Sequence, residues 1–295
     1  MESSVHLLDE SHLPPAFRTV TPRCRRLYVC GSLPPEHVPK VAVVGSRTPS
    51  PSGRHTAYEM GRGLARAGVV VVSGLARGID AAAHQGALDA GGITVAVLGS
   101  GVDVVYPRSS RELAAAIPER GALVSEYPRG TPPLPYQFVH RNRLVAAYTL
   151  GTLVVEGGAR SGALITAGYA VEMSRELWAV PGDPRRPSCQ GNNRLLRDGA
   201  GVVLDAADVL AAVGLAVHRL DPGEMDPPAD LSDAETAVWK SLTRRGPGDP
   251  EALSRRTGLT AAALLEALSL MELAGHIERD GEGYVLVERG GRSHG

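Results

Sequence analysis

Short apolar, β-branched runs recur through the chain: Val41–Val44, Val69–Val72, Thr94–Leu98, Ala122–Val124, Thr152–Val155, Leu177–Val180 and Gly201–Leu204. Each is apolar at successive positions, the pattern of a strand covered on both faces. Between them, amphipathic or Ala-rich stretches predict helices at 53–67, 80–90, 109–117, 142–149, 164–175 and 206–213. Strand and helix in alternation predict a doubly wound, mostly parallel α/β sheet over residues 41–215.

The flanks read differently. Residues 1–40 are expected to be irregular, because six prolines interrupt any long helix. Within them Leu27–Cys30, ahead of Gly31, reads as a short edge strand, and Arg18, Arg23, Arg25 and Arg26 make the segment locally basic. Residues 216–230 contain Asp-Pro, Pro-Gly and Asp-Pro-Pro, the marks of a linker. A small domain follows at 231–289, then a tail at 290–295. Ser232 and Glu235 form a capping-box start to a helix reaching about Thr243. Two more helices are expected at Pro250–Thr257 and Thr260–Leu273. Ile277–Arg279 and Tyr284–Val287 then flank a turn-forming Asp280-Gly281-Glu282-Gly283. Three helices and a two-stranded ribbon make a winged-helix pattern.

Composition narrows the function classes. No apolar run reaches the ~20 residues of a membrane span, and the first residues lack the basic and apolar regions of a secretory signal. Cys24, Cys30 and Cys189 have no metal or disulfide spacing and read as reduced cytosolic thiols. The formal net charge of −1 gives no sign of a nucleic-acid partner, so that case depends on where the charges sit.

Ligands of open α/β sheets bind beyond the carboxyl ends of the strands. Here those ends carry Gly45-Ser46-Arg47, Ser73-Gly74-Leu75-Ala76-Arg77-Gly78, Gly99-Ser100-Gly101, Ser125-Glu126-Tyr127, Glu156 to Gly162, and Pro181-Gly182-Asp183. For any one loop, glycine need do no more than turn the chain. Six such loops in order point to an anion site, where small residues admit a ligand to backbone N–H groups. The site is not a nucleotide-cofactor fingerprint. Residues 45–48 lack the later glycines of GxGxxG, and no GxxxxGKS/T occurs. No cofactor is expected.

The arginines define the candidate chemistry. Arg47 and Arg77 leave successive strands at one edge. Arg141 and Arg143 flank Asn142, read as a helix N-cap, which puts Arg143 in a first turn where a cation needs an anionic partner. That partner is a phosphate, Glu126 or Glu156; spacing does not choose between them. Asp80 reads as the N-cap of its helix and His84 as a packed histidine. No metal-ligand spacing and no persuasive Ser-His-Asp set occurs.

In their order these residues resemble the DNA-processing protein A family (DprA, also called Smf), over roughly 28–215. The resemblance rests on Val43-Val44-Gly45-Ser46-Arg47, on Ser73 to Asp80 followed by Ala83-His84, and on Tyr106-Pro107, Ser125-Glu126 and Arg141-Asn142-Arg143. It continues through Ser161-Gly162, Pro181-Gly182 and Gly191-Asn192. It implies an extended Rossmann-like domain that binds single-stranded DNA, forms a homodimer, and helps load the RecA recombinase during natural transformation. It also implies a protein that is not an enzyme. By position it makes Arg47, Arg77, His140, Arg141 and Arg143 DNA contacts, with Ser46, Gly74, Ser161 and Gly162 shaping the pocket.

Two departures are visible. The family pattern Phe-Pro-x-Arg-Asn-Arg, with a basic x, is here Phe138-Val139-His140-Arg141-Asn142-Arg143. His140 is mostly neutral at pH 7, which weakens one expected contact. The ~40 residues before the sheet are also too few for the N-terminal helical domain that many members carry. The winged helix holds seven Lys/Arg against eleven Asp/Glu between Asp230 and Arg289. Its third helix has no basic side chain, so a role in protein contacts or dimer support is expected rather than duplex reading. The rival reading is a nucleotide phosphoribohydrolase of the LOG type, acting through Glu156 and Arg160 without that family's clear PGGxGT loop. A third is an adaptor working through the acidic winged helix.

Overall fold

The computed structural model describes residues 5–215, 228, 231–245, 248–280 and 283–286. The chain divides into two compact units, Met1–Val217 and His218–Gly295. The expected linker, apart from Pro228, and the expected tail lie outside the described residues.

The first unit runs β1 (Val5–Asp9), α1 (Pro15–Arg18), β2 (Arg26–Gly31), β3 (Lys40–Val44), α2 (Pro51–Arg66), β4 (Val70–Ser73), α3 (Ile79–Asp89) and β5 (Thr94–Val97). It continues with α4 (Arg111–Ala116), β6 (Ala122–Ser125), α5 (Pro135–Ala147), β7 (Gly151–Val154), α6 (Ala163–Glu172), β8 (Glu176–Ala179), α7 (Gln190–Arg197), β9 (Gly201–Val202) and α8 (Ala206–Ala212). Single 3-10 turns, Arg108–Ser110 and Ile117–Glu119, flank α4.

These strands form one sheet in the order β1-β2-β6-β5-β4-β3-β7-β8-β9. From β6 to β9 every pairing is parallel. β1 and β2 add an antiparallel margin against β6. The chain therefore winds from β3 outward to β6, returns to the middle, and winds the other way from β7. Loops after β3 and β7 diverge there and leave a crevice, the switch point of a doubly wound sheet.

Burial explains the apolar runs. Ala42, Val44, Val70, Val72, Val95 and Val97 join Phe17, Leu144 and Val154 in a core on one face. The alternate residues Val41, Val43 and Val71 are equally buried on the other. A sheet with both faces covered needs apolar side chains at every position.

Residues 5–40 are not irregular, contrary to expectation. β1 takes the sheet edge and β2 lies one place inside it. Their prolines sit in connecting loops and at the start of α1, where no N–H is needed. Leu13, Phe17, Val20, Cys24 and Leu27 enter the main core.

The second unit holds α9 (Asp233–Arg245), α10 (Pro250–Thr257), α11 (Ala261–Leu273), β10 (Ile277–Asp280) and β11 (Gly283–Leu286), a winged helix. Its helices start where side chains cap them. Ser232 and Glu235 form the reciprocal box, Asp249 accepts from the Ala252 N–H at 2.7 Å, and Thr260 from Ala263 at 3.3 Å. Val238, Trp239, Leu253, Leu264, Leu268 and Met271 give it a core of its own. No helix among the described residues is long and apolar enough to cross a membrane.

Candidate nucleic-acid interface

Three strand-end loops are stitched together at the switch point. The Ser46 N–H donates to the Glu156 carbonyl at 2.6 Å, and the Ile79 N–H to the Ser46 carbonyl at 3.1 Å. The Glu156 carboxylate accepts from the Ser50 N–H at 3.1 Å and the Ser50 hydroxyl at 2.6 Å. Ser50 in turn caps α2 through the Gly53 N–H. The loop after β4 is bent sharply, with Leu75 at φ +58° and Gly78 at φ +83°. Positive φ is costly for leucine, and its full burial, together with Asp80 below it, holds the bend. Asp80 is not the N-cap of α3; Gly78 is. The Asp80 carboxylate instead accepts from the Gly74 N–H at 3.1 Å and the Ala76 N–H at 3.4 Å.

A cavity of about 750 Å³ opens over these loops. Residues 44–48 form one side and residues 158–163 the other. Gly74, Ala76 and Asp80 line it, and Pro187, Ser188 and Gln190 close a wall. α5 covers it with Phe138, Arg141, Asn142 and Val145, spaced as one face of a helix.

α5 starts at Pro135, seven residues before the expected cap at Asn142. Pro135 occupies the first helical position and the Gln137 side chain reaches back to the Leu134 N–H at 2.9 Å. Arg141, Asn142 and Arg143 therefore lie well inside the helix, and successive residues point to different faces. Arg141 faces the cavity and is 4% exposed. Its guanidinium donates to the Val97 carbonyl, while its Nε has no partner. Burial pushes its pKa down to about 10, with Asp80 opposing, so it stays charged at neutral pH. Asp80 is pushed up by burial, with Arg141 opposing. A Cβ on Gly74 would run into this guanidinium, which is why the position is glycine.

Arg143 points away from the cavity and is fully buried. It grips both Glu126 oxygens, at 2.6 and 2.7 Å, and the Pro22 carbonyl at 2.9 Å. Of the partners that spacing left open, Glu126 is the one it meets. The expected DNA contact at Arg143 is corrected: it has no free surface. His140 shares that face, 3.4 Å from the Tyr127 hydroxyl and 3.7 Å from Glu126. Burial, and then Arg143, lower its pKa and keep it neutral. It does not line the cavity, nor does Arg77, which is exposed on the same loop as Gly74. Arg47 is exposed at the rim, its guanidinium 5.7 Å above the Phe138 ring. Ser46, Ser161 and Gly162 line the cavity; the Ser161 hydroxyl accepts from the Ala163 N–H at 3.3 Å.

Some lining residues carried no sequence signal for this role. Asn142, expected from the sequence as a cap, instead has its amide in the wall, 3.4 Å from the Gly162 carbonyl. Residues 187–190 reach the site because Asn192 anchors the unexpected helix α7. Its amide donates to the carbonyls of Val154, Val155 and Val180 at 2.8 to 3.0 Å. His84 is packed as expected, its Nδ1 2.6 Å from the Thr94 hydroxyl.

A family model described as DNA recombination-mediator protein A matches residues 4–214, and one described as the DprA winged helix domain matches 222–283. Smf of Escherichia coli is 36% identical over 296 residues, 96% of this chain and 78% of that protein. A DprA-named relative from Mycobacterium tuberculosis is 42% identical over 256 residues, 85% of this chain; the chain spans 66% of that relative's length. Among solved structures, DNA processing protein A from Streptococcus pneumoniae aligns with a TM-score of 0.67 and 37% identity, over 71% of this chain and 75% of that one. The Helicobacter pylori protein, whose structure describes a single-stranded DNA binding mode, aligns with a TM-score of 0.65 and 28% identity, over 72% and 98%. The chain belongs to the DNA recombination-mediator protein A family, whose relatives are called DprA or Smf.

Proposed function

We propose that the cleft at the switch point holds single-stranded DNA and that the protein is a recombination mediator without catalysis of its own. The observation that carries this is the pairing of Arg47 with Phe138 at the mouth of a cavity whose floor holds a buried, charged Arg141. A cation at the rim suits a phosphate, an aromatic ring suits a base, and together they tolerate any sequence. The single-stranded DNA binding of the Helicobacter pylori relative supports the same occupant. Loading of RecA, a part in natural transformation, and a homodimer formed through the Rossmann-like unit belong to this proposal.

The phosphoribohydrolase reading loses its acid. Glu156 is buried and fully engaged by Ser50, so it is a brace for α2 and not a group facing substrate. Incubation with AMP is expected to release no adenine.

The test is a salt titration of single-strand binding. Arg47→Ala is expected to weaken binding and to lower the log–log salt slope by about 0.7, the share of one phosphate contact. Affinity and slope equal to the parent protein would remove Arg47 from the site.

A further inference from the structure

A second cavity, of about 480 Å³, lies beyond Phe138. Its wall includes Asp103, Tyr106, Arg108, Arg111 and Pro133. Tyr106 is 47% exposed, and its ring meets Phe138 at 5.5 Å with a 46° tilt. One aromatic pair thus has a ring in each cavity. Arg108 and Arg111 are exposed, and among the described residues neither has an ion-pair or hydrogen-bond partner for its guanidinium. Asp103 is already engaged, accepting from the Gly130 N–H at 2.8 Å and lying 3.5 Å from Arg129. The wall is tied to the first site: the Ser110 hydroxyl donates to the Leu75 carbonyl at 3.3 Å, on the loop that carries Arg77.

Two arginines without a counter-ion beside a half-exposed ring have the chemistry of a single-strand subsite. The guanidiniums neutralise backbone phosphate and the ring offers a base a stacking face. We propose that Tyr106, Arg108 and Arg111 form a second nucleotide subsite. A base stacks on Tyr106, and the adjoining phosphate lies between Arg108 and Arg111. The strand leaves the first cleft over the Phe138–Tyr106 pair and continues toward α4. This rests on the reading of the first cleft as a single-strand site. Duplex is excluded from the subsite, because a paired base stays in its own stack and cannot lie on the ring.

The experiment uses the full chain and oligothymidylates of about 4 and about 12 nucleotides, within the range of compact single-strand sites, over a salt series. For the longer oligomer, Arg108→Ala/Arg111→Ala lowers the salt slope by about 0.7, the share of the one phosphate the pair holds. Tyr106→Ala weakens it roughly tenfold and Tyr106→Phe restores it, as expected of stacking. A 5-iododeoxyuridine in the longer oligomer photo-crosslinks to Tyr106. Parent-like slope and affinity in these variants, or no crosslink at Tyr106, overturns the subsite. So does loss of the gain from the longer oligomer in Arg185→Ala/Arg186→Ala in their place, since that pair precedes Pro187 and Ser188 of the first cleft's lining. Arg47→Ala separates the two readings: with no effect on either oligomer, the first cleft itself fails, whereas a loss on both with parent-like Tyr106 and Arg108/Arg111 variants sinks only the second.

Discussion

Arg143 carries a charge with no exposure to water, and its bidentate contact with Glu126 is what makes that tolerable. Removing one partner of a buried pair strands the other. Arg143→Ala is therefore expected to lower stability by about 3–5 kcal/mol, read as a shifted urea midpoint. An unshifted midpoint with lost DNA affinity would return Arg143 to the binding surface. His84 gives a second test at this scale. Burial, and then Arg141, lower its pKa from 6.5 to about 3. The unfolded chain takes up a proton that the native state refuses. Stability therefore falls as pH drops through 6.5 and keeps falling to about pH 3, by about 1.4 kcal/mol per unit. Asp80, raised by burial, acts with the opposite sign. A urea series comparing the parent with His84→Gln isolates the histidine; parallel pH profiles would mean that it titrates normally. Arg47 was legible because a strand end places it. Arg141 and Arg143 were legible only as a pair, since their separate fates depend on helix phase.

α5 shows how an element boundary decides chemistry. Its first turns, Pro135 to Val139, are neither apolar nor periodic enough to reveal a helix, so the start was expected at Asn142. Beginning at Pro135, the helix sends Phe138, Arg141 and Asn142 to the cleft and Arg143 to the core. α7 carries no sequence signal for a related reason. It is short and polar, and what anchors it is Asn192 satisfying three carbonyls on distant strands. α11 was the reverse case, readable throughout. Its outward side shows Leu265, Leu270 and Leu273 with Glu266 and Glu272, and no cation. Residues 225–295 alone are expected to give no tight, salt-sensitive shift of duplex DNA in a gel. A strong shift that salt abolishes would make α11 or the wing a DNA reader.

At the scale of the whole molecule, the nine-stranded order puts the switch point, between β3 and β7, under the lining of the 750 Å³ cleft. A cleft lined by few cations should prefer a flexible strand to a rigid duplex. Full-length protein is expected to bind single-stranded DNA more tightly than duplex of equal length at every salt concentration. Equal affinities with equal slopes would reduce the cleft to a general polyanion surface. Sedimentation is expected to find a homodimer; a monomer at the concentrations used for binding would withdraw that part of the proposal.

The sequence by itself determined the parallel strands, their burial on both faces, the winged helix and the loops that line the cleft, but not β1. These follow from local periodicity and from residues at strand ends, which act within a few positions of themselves. The tertiary structure alone decided which arginines face the cleft. The phase of α5, the grip of Glu126 on Arg143, the brace from Glu156 to Ser50 and the meeting of Tyr106 with Phe138 all join residues far apart in the chain. No local pattern encodes such distances, because they are set by how the sheet twists and where its loops return.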